Sequence, residues 1–343
     1  MPELDGAFPA PELHGSLWLN SEPLTIASLE GKPVLLSFWD YTSGPSLRAV
    51  SYVKEWHTRY APHGLVVIGV HAPEFHFGFE TENVQRAVMD LDLHYPQVLD
   101  NDLVIMNTYA ARSRPSTFLV DRKGNLRYYQ IGEGAYGESE AHIQRLLQEA
   151  QPGLTLPHLM TPLHDTDLPG AVSYRTTRRV DMGYEQGILG NPEGHHRDEP
   201  LVYRDPGVHA EAYPYIEGEW YAGPEQVVYT GKTGAGGMLS IRYTAKGVNL
   251  VMGPIMDPCA LHVYQDGRPL AAEDAGYDLR LDEGNRPTVS VDHPRMYSLV
   301  DNRSIGTHEL QLFTVSPGLA LYSFTFTTSV VPALSEGKEP KLS

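Results

Sequence analysis

The sequence predicts an α/β domain, a mixed sheet flanked by helices, joined to an all-β sandwich. Three observations carry this. Over residues 1–150, short apolar runs without polar alternation (33–39 and 65–70) take turns with helical patterns. Unalternated runs suit strands covered on both faces. A stretch punctuated by Pro152, Gly153, Pro157, Pro162, Pro169 and Gly170 follows at 151–172 and reads as a linker that packs over a surface. From 173 to 331 helical periodicity disappears, and short alternating runs recur between Gly, Pro, Asp and Asn. That is the pattern of an antiparallel sandwich. Residues 332–343 form a polar tail.

Within the first domain, residues 33–39 form the first central strand. Leu47, Val50, Val53, Trp56 and Tyr60 recur at spacings near three and four, which predicts a helix over 47–60. Residues 65–70 form the next buried strand. Thr81 is expected to cap a helix over 82–91 that carries acid in its first turn. An extended piece at 95–99 and a short helix at 102–110 lead to a hairpin, 117–120 and 126–131, turned by Asp121-Arg122-Lys123-Gly124-Asn125. A helix over 138–150 closes the domain. In the second domain, strand runs are expected at 226–229, 237–243, 248–252, 260–264, 288–291, 297–300, 308–313 and 319–327.

The chain has 343 residues, comfortable for two domains. Its formal net charge of -17 argues against nucleic-acid binding, because phosphate contacts need a basic face. No apolar run reaches the length of about 18 residues that a membrane-spanning helix needs. Met1-Pro2-Glu3-Leu4-Asp5 lacks the basic and apolar regions of a secretory signal, which places the protein in the cytoplasm on this reading. Cys259 is the single cysteine, so neither an intrachain disulfide nor a cysteine-based zinc site is available. It is expected to be a buried, inert thiol. No motif calls for a metal or a cofactor.

The segment Thr42-Ser43-Gly44-Pro45-Ser46-Leu47-Arg48 lies between the first buried strand and the first helix. Ser43 is placed to cap that helix, with Pro45 in its first turn. The helix start offers N–H groups and a positive dipole end, and Arg48 and Arg114 add charge. A hydrolytic role for Ser43 would need a base such as His71 or His76, and no Gly-x-Ser-x-Gly elbow is present.

Four segments give this domain a resemblance to the TlpA-like branch of the thioredoxin superfamily. They are residues 24–34, Phe38-Trp39-Asp40-Tyr41-Thr42, Gly69-Val70-His71-Ala72-Pro73-Glu74-Phe75, and Arg114-Pro115-Ser116-Thr117-Phe118-Leu119-Val120-Asp121. Tyr52-Val53-Lys54-Glu55-Trp56-His57, Asp100-Asn101-Asp102 and Gly132-Glu133-Gly134 with Tyr136 are similar to the C-terminal region of DipZ-type proteins. The resemblance implies a thioredoxin-like domain over 1–150 and, over 173–331, a jelly-roll domain of the carbohydrate-binding-module kind. It places Pro115 at the family's cis-proline position. It also implies an extracytoplasmic location if an export segment was removed.

The family's redox Cys-x-x-Cys falls on Ser43 and Ser46. A thiolate is populated near neutral pH because a cysteine titrates at about 8.5; a serine hydroxyl is not, and it forms no S–S bond. The leading expectation is therefore a redox-inactive binding or scaffold module. Its groove would comprise Trp39, Tyr41, Thr42, Arg48, His71, Arg114 and Pro115, and would hold an extended peptide or protein. Two alternatives stand beside it. One is a thiol-disulfide oxidoreductase whose Cys-Gly-Pro-Cys was changed to Ser-Gly-Pro-Ser. The other is glycan binding by the sandwich, with Tyr213, Tyr215, Trp220 and Tyr221 as an aromatic platform.

Overall fold

The structure, a computed structural model, describes residues 8–328 apart from 16, 169, 172–173 and 233–234. The chain divides after Ala171 into two compact units.

The first unit runs β1 (Phe8–Pro9), β2 (Leu17–Leu19), β3 (Val34–Trp39), α1 (Gly44–Tyr60), β4 (Val66–His71), α2 (Thr81–Asp90), β5 (Gln97–Leu99), α3 (Val104–Thr108), β6 (Ser116–Val120), β7 (Asn125–Ile131) and α4 (Tyr136–Ala150). Its sheet has the order β1-β7-β6-β3-β4-β5-β2. β3, β4 and β5 are parallel, β6 pairs antiparallel with β3, and β7 pairs antiparallel with β6. All six residues of β3 are buried, as an unalternated apolar strand requires. Val34, Leu36, Phe38, Ile68, Val70, Val98 and Phe118 join one core cluster around these strands. Each such side chain, fully buried, contributes about 1.5–3 kcal/mol relative to exposure.

Gly69 is needed where β4 meets β5. A Cβ there would lie 1.9 Å from Gln97 Oε1, the atom that accepts a hydrogen bond from Trp39 Nε1 at 3.0 Å. Three details differ from the sequence reading. The helix α1 starts at Gly44 rather than 47. Thr81 is already helical, and the preceding Glu80 makes no side-chain cap. The strands β1 and β2, of two and three residues, carry too little pattern to be read.

The segment 157–167 lies against α1 and α4. Met160 N–H donates to the buried Glu140 carboxylate at 2.9 Å, and Tyr60 Oη donates to it at 2.6 Å. Leu163 N–H donates to Tyr52 Oη, which donates in turn to Asp167 at 2.7 Å.

The second unit is all β. It contains β8 (Val180–Asp181), β9 (Pro200–Tyr203), β10 (Pro214–Ala222), β11 (Val227–Tyr229), β12 (Gly237–Pro254), β13 (Cys259–Gln265), β14 (Arg268–Pro269), β15 (Leu279–Leu281), β16 (Pro287–Val291), β17 (Arg295–Thr314) and β18 (Leu319–Thr327). β12 and β17 pair along almost their whole length, with register breaks between Ala245 and Gly247 and between Val248 and Asn249. Breaks of this kind bend a strand. The first half of β12 pairs with β10 and the second half with β18, while β11 bridges β10 to β18. The pairing thus closes on itself around one core that includes Trp220, Tyr229, Leu250, Leu312 and Phe324. Residues 237–243 and 248–252, expected as two strands, are one bent strand, as are 297–300 and 308–313.

Candidate functional site

The strand β3 delivers a tight turn, Asp40 to Ser43, into α1. Ser43 is extended (φ −102°, ψ 114°), and its Oγ accepts the Ser46 N–H at 3.4 Å. Its carbonyl accepts the Leu47 N–H at 3.0 Å. Ser43 is therefore a helix cap. Pro45 occupies the first turn, where a missing N–H leaves no gap. Ser46 is wholly buried, and its Oγ has no hydrogen-bond partner among the described residues.

Asp40 organises the turn. Its carboxylate accepts the Thr42 N–H at 2.7 Å, the Thr42 hydroxyl, and the Glu74 N–H from the loop after β4 at 3.0 Å. Burial raises its pKa, opposed by the Thr42 bonds and by the charge of Arg114. His71 ends β4, fully buried, with its Nε2 3.7 Å from Asp40 Oδ2. Neither ring nitrogen makes a hydrogen bond. Burial first, then the Arg114 charge, pushes this imidazole down to about 3. Burial thus drives both members of the pair toward their neutral forms. Tyr41 stacks on the imidazole at 5.5 Å, and Trp39 meets it edge-on at 5.5 Å. The Arg114–Pro115 peptide bond is cis, and Arg114 Nη1 contacts Met106 Sδ at 3.5 Å.

The structure therefore brings His71, Tyr41, Thr42 and Arg114 together beneath the start of α1. Of the expected groove residues, Trp39, Tyr41, Thr42, His71 and Pro115 are buried, and Arg48 and Arg114 are partly exposed. Trp39 is wholly buried and bonded to Gln97, so it is a floor and not a wall. Arg48 is paired with Glu133 from the turn after β7, so its charge is already committed. Burial raises the pKa of Glu133, against the pull of Arg48. Sequence reasoning missed Asp40 as the organiser; the available signal was a lone acid directly after an apolar run. His71 hydrogen-bonds to neither serine, so no activated hydroxyl exists here. The one thiol, Cys259, is buried in the second unit's core, where burial and Asp257 push it up and Sγ contacts Asp257 O at 3.4 Å.

The aromatic platform expected in the second unit is not assembled. Trp220 is 1% exposed, meets Tyr229 edge-on at 5.3 Å, and donates Nε1–H to Glu217 O at 2.8 Å. Tyr215 is buried, with its hydroxyl accepting the Ala210 N–H. Only Tyr213 is openly exposed; Tyr221 is half-buried, with its hydroxyl 3.3 Å from Asp198. Trp220 lies on the face of β10 that carries Ile216 and Ala222 into the core, whereas Tyr215, on the other face, is covered by Gly190 and by His209, whose ring is 4.6 Å from its own.

Residues 7–129 match the AhpC/TSA family, and residues 182–327 match the thioredoxin-like C-terminal domain. The first unit thus resembles the AhpC/TSA family and the second, all-β unit the thioredoxin-like C-terminal domain, with Ser43 and Ser46 at the start of α1. The same two-part order extends to a particular relative. The chain is 29% identical over 330 residues to the protein DipZ of Mycobacterium bovis, covering 94% of this chain and 44% of DipZ. It therefore spans less than half the length of that relative. The thiol-disulfide oxidoreductase YkuV of Bacillus subtilis is 26% identical over 144 residues, covering 42% of this chain and 97% of YkuV. A solution structure of a thioredoxin-like protein in its oxidized form is 28% identical, with a TM-score of 0.39, and covers 42% of this chain and 97% of its own. No helix among the described residues is long and apolar enough to cross a membrane.

Proposed function

We propose that this protein is a redox-inactive relative of the thioredoxin-like thiol-disulfide oxidoreductases, working as a binding module. The observation that carries the reading is Ser43. Where such an enzyme needs a thiolate, this chain has a hydroxyl already used to cap α1. The frame around it persists: the capped helix, the Asp40-organised turn, and the loop before Pro115 that carries Arg114. The ligand we favour is an extended peptide lying along the backbone beside Pro115, near the start of α1. We also read the second unit as a jelly-roll ligand-binding module, on the strength of its closed pairing and single core.

The test is an NMR titration of the full chain with S-carboxymethylated insulin B chain, an extended peptide without thiols. Amide shifts confined to Thr42, Ser43, Ser46 and Ser116 would support the reading. A titration that moves none of them would end it. The alternative, an oxidoreductase whose cysteines were replaced, is favoured by the intact frame. It predicts that S43C/S46C reduces insulin at once, without further changes.

A further inference from the structure

A cleft of about 620 Å³ in the second unit opens over the outward face of its sheet rather than at the expected platform. Glu217 on β10 pairs with Met238 on β12, and Met238 pairs with Phe313 on β17. These three face outward in one row, an apolar strip with an acid at its end. Glu219 stands two residues along β10, on the same face as Glu217. Arg204, just beyond β9, and Lys232, just beyond β11, complete the lining.

The charged ends of Arg204, Glu217, Glu219 and Lys232 make no ion pair or side-chain hydrogen bond among the described residues, although all four line one cleft. Charges that share a cleft yet leave one another unpaired are available to a ligand. A second observation lies at the base. Tyr229 is fully buried, and its hydroxyl, beside the Gly231 and Gly236 backbone, makes no hydrogen bond among the described residues. The wall has no room for further side chains: a Cβ on Gly236 would lie 2.7 Å from the Phe313 ring, and one on Gly237 would lie 2.4 Å from the Tyr229 ring.

We propose that this cleft binds a neutral oligosaccharide. Two acids and two bases cancel, so no net charge is selected, and a polyanion would face both glutamates. Paired carboxylates accept hydrogen bonds from adjacent hydroxyls, while Arg and Lys donate to hydroxyl and ring oxygens. Met238 and Phe313 offer an apolar strip for the C–H face of a sugar ring. The proposal rests on reading the second unit as a ligand-binding module.

The experiment is a neutral-glycan array on the full chain, followed by calorimetry with a scoring glycan on wild type, E217Q/E219Q and K232A. We expect at least one neutral oligosaccharide to bind, with affinity lowered tenfold or more in E217Q/E219Q and unfolding temperature unchanged. Unaltered affinity in both variants would overturn the cleft while leaving the module reading intact. A blank array would overturn both.

Discussion

Replacing His71 with Leu should flatten the acid side of the stability curve. The imidazole is fully buried, hydrogen-bonds to nothing, and is pushed down to about 3 by burial and by Arg114. In the unfolded chain it titrates near 6.5. A group whose folded pKa lies below its unfolded value costs stability as pH falls through that interval, because only the unfolded chain takes up the proton. At pH 4.5, two pH units below the unfolded value, the loss is about 2.7 kcal/mol at 1.36 kcal/mol per unit. Leu keeps roughly the bulk and carries no proton. Asp40 acts in the opposite direction: its raised carboxyl protonates more readily in the folded chain, which adds stability on acidification. That contribution is present in both proteins and largely cancels in their difference. The assay is urea unfolding from pH 7.5 to pH 4.5, followed by tryptophan fluorescence in a Trp220→Phe background, so that Trp18, Trp39 and Trp56 report the first unit. The variant should retain roughly 2–3 kcal/mol more of its neutral-pH stability at the acid end. Parallel loss in the two proteins would show that His71 is solvated or partnered in the native state, and would refute the argument.

Three further outcomes follow from the same geometry. Ser43→Ala should cost about 0.5–1 kcal/mol, the low end for a lost cap because the Ser46 N–H lies at 3.4 Å, and thermal melting would read it. Glu140→Ala leaves the Tyr60 hydroxyl proton, the Met160 N–H and Arg59, 3.6 Å away, without their acid, although Tyr60 Oη still accepts from Gln144. It should destabilise the first unit by about 3 kcal/mol and speed proteolysis within 157–167; a wild-type cleavage rate would argue against that segment being pinned. Cys259 should resist Ellman's reagent in the folded chain and react after unfolding in urea. Rapid reaction under native conditions would mean the strand start at Cys259 opens.

Much of the first unit was legible because its strands β3 and β4 are unalternated apolar runs and α1 repeats its apolar residues at helical spacing. The motif itself was legible as an N-cap followed by Pro45. What the sequence hid was tertiary. Nothing local tells that Trp39 is spent on Gln97, 58 residues on, or that Arg48 meets Glu133. Asp40 looked like one more polar turn residue, although it ties two loops together. In the second unit, Thr244-Ala245-Lys246-Gly247 and the Asp301-Asn302-Arg303 stretch read as turns because their composition is polar and small. The structure makes each a bend inside a continuous strand. The aromatic-rich stretch around β10 allowed a surface platform as an alternative, but Trp220 is buried in the core.

The most direct measurement is disulfide turnover by the unaltered polypeptide. Purified chain, with Ser43 and Ser46 verified by mass spectrometry, is mixed with insulin and a reductant, and reduction is followed above the reductant-only rate. Oxygen at both ends of the motif predicts no excess rate. Catalytic turnover by that verified protein would contradict the redox-inactive reading outright.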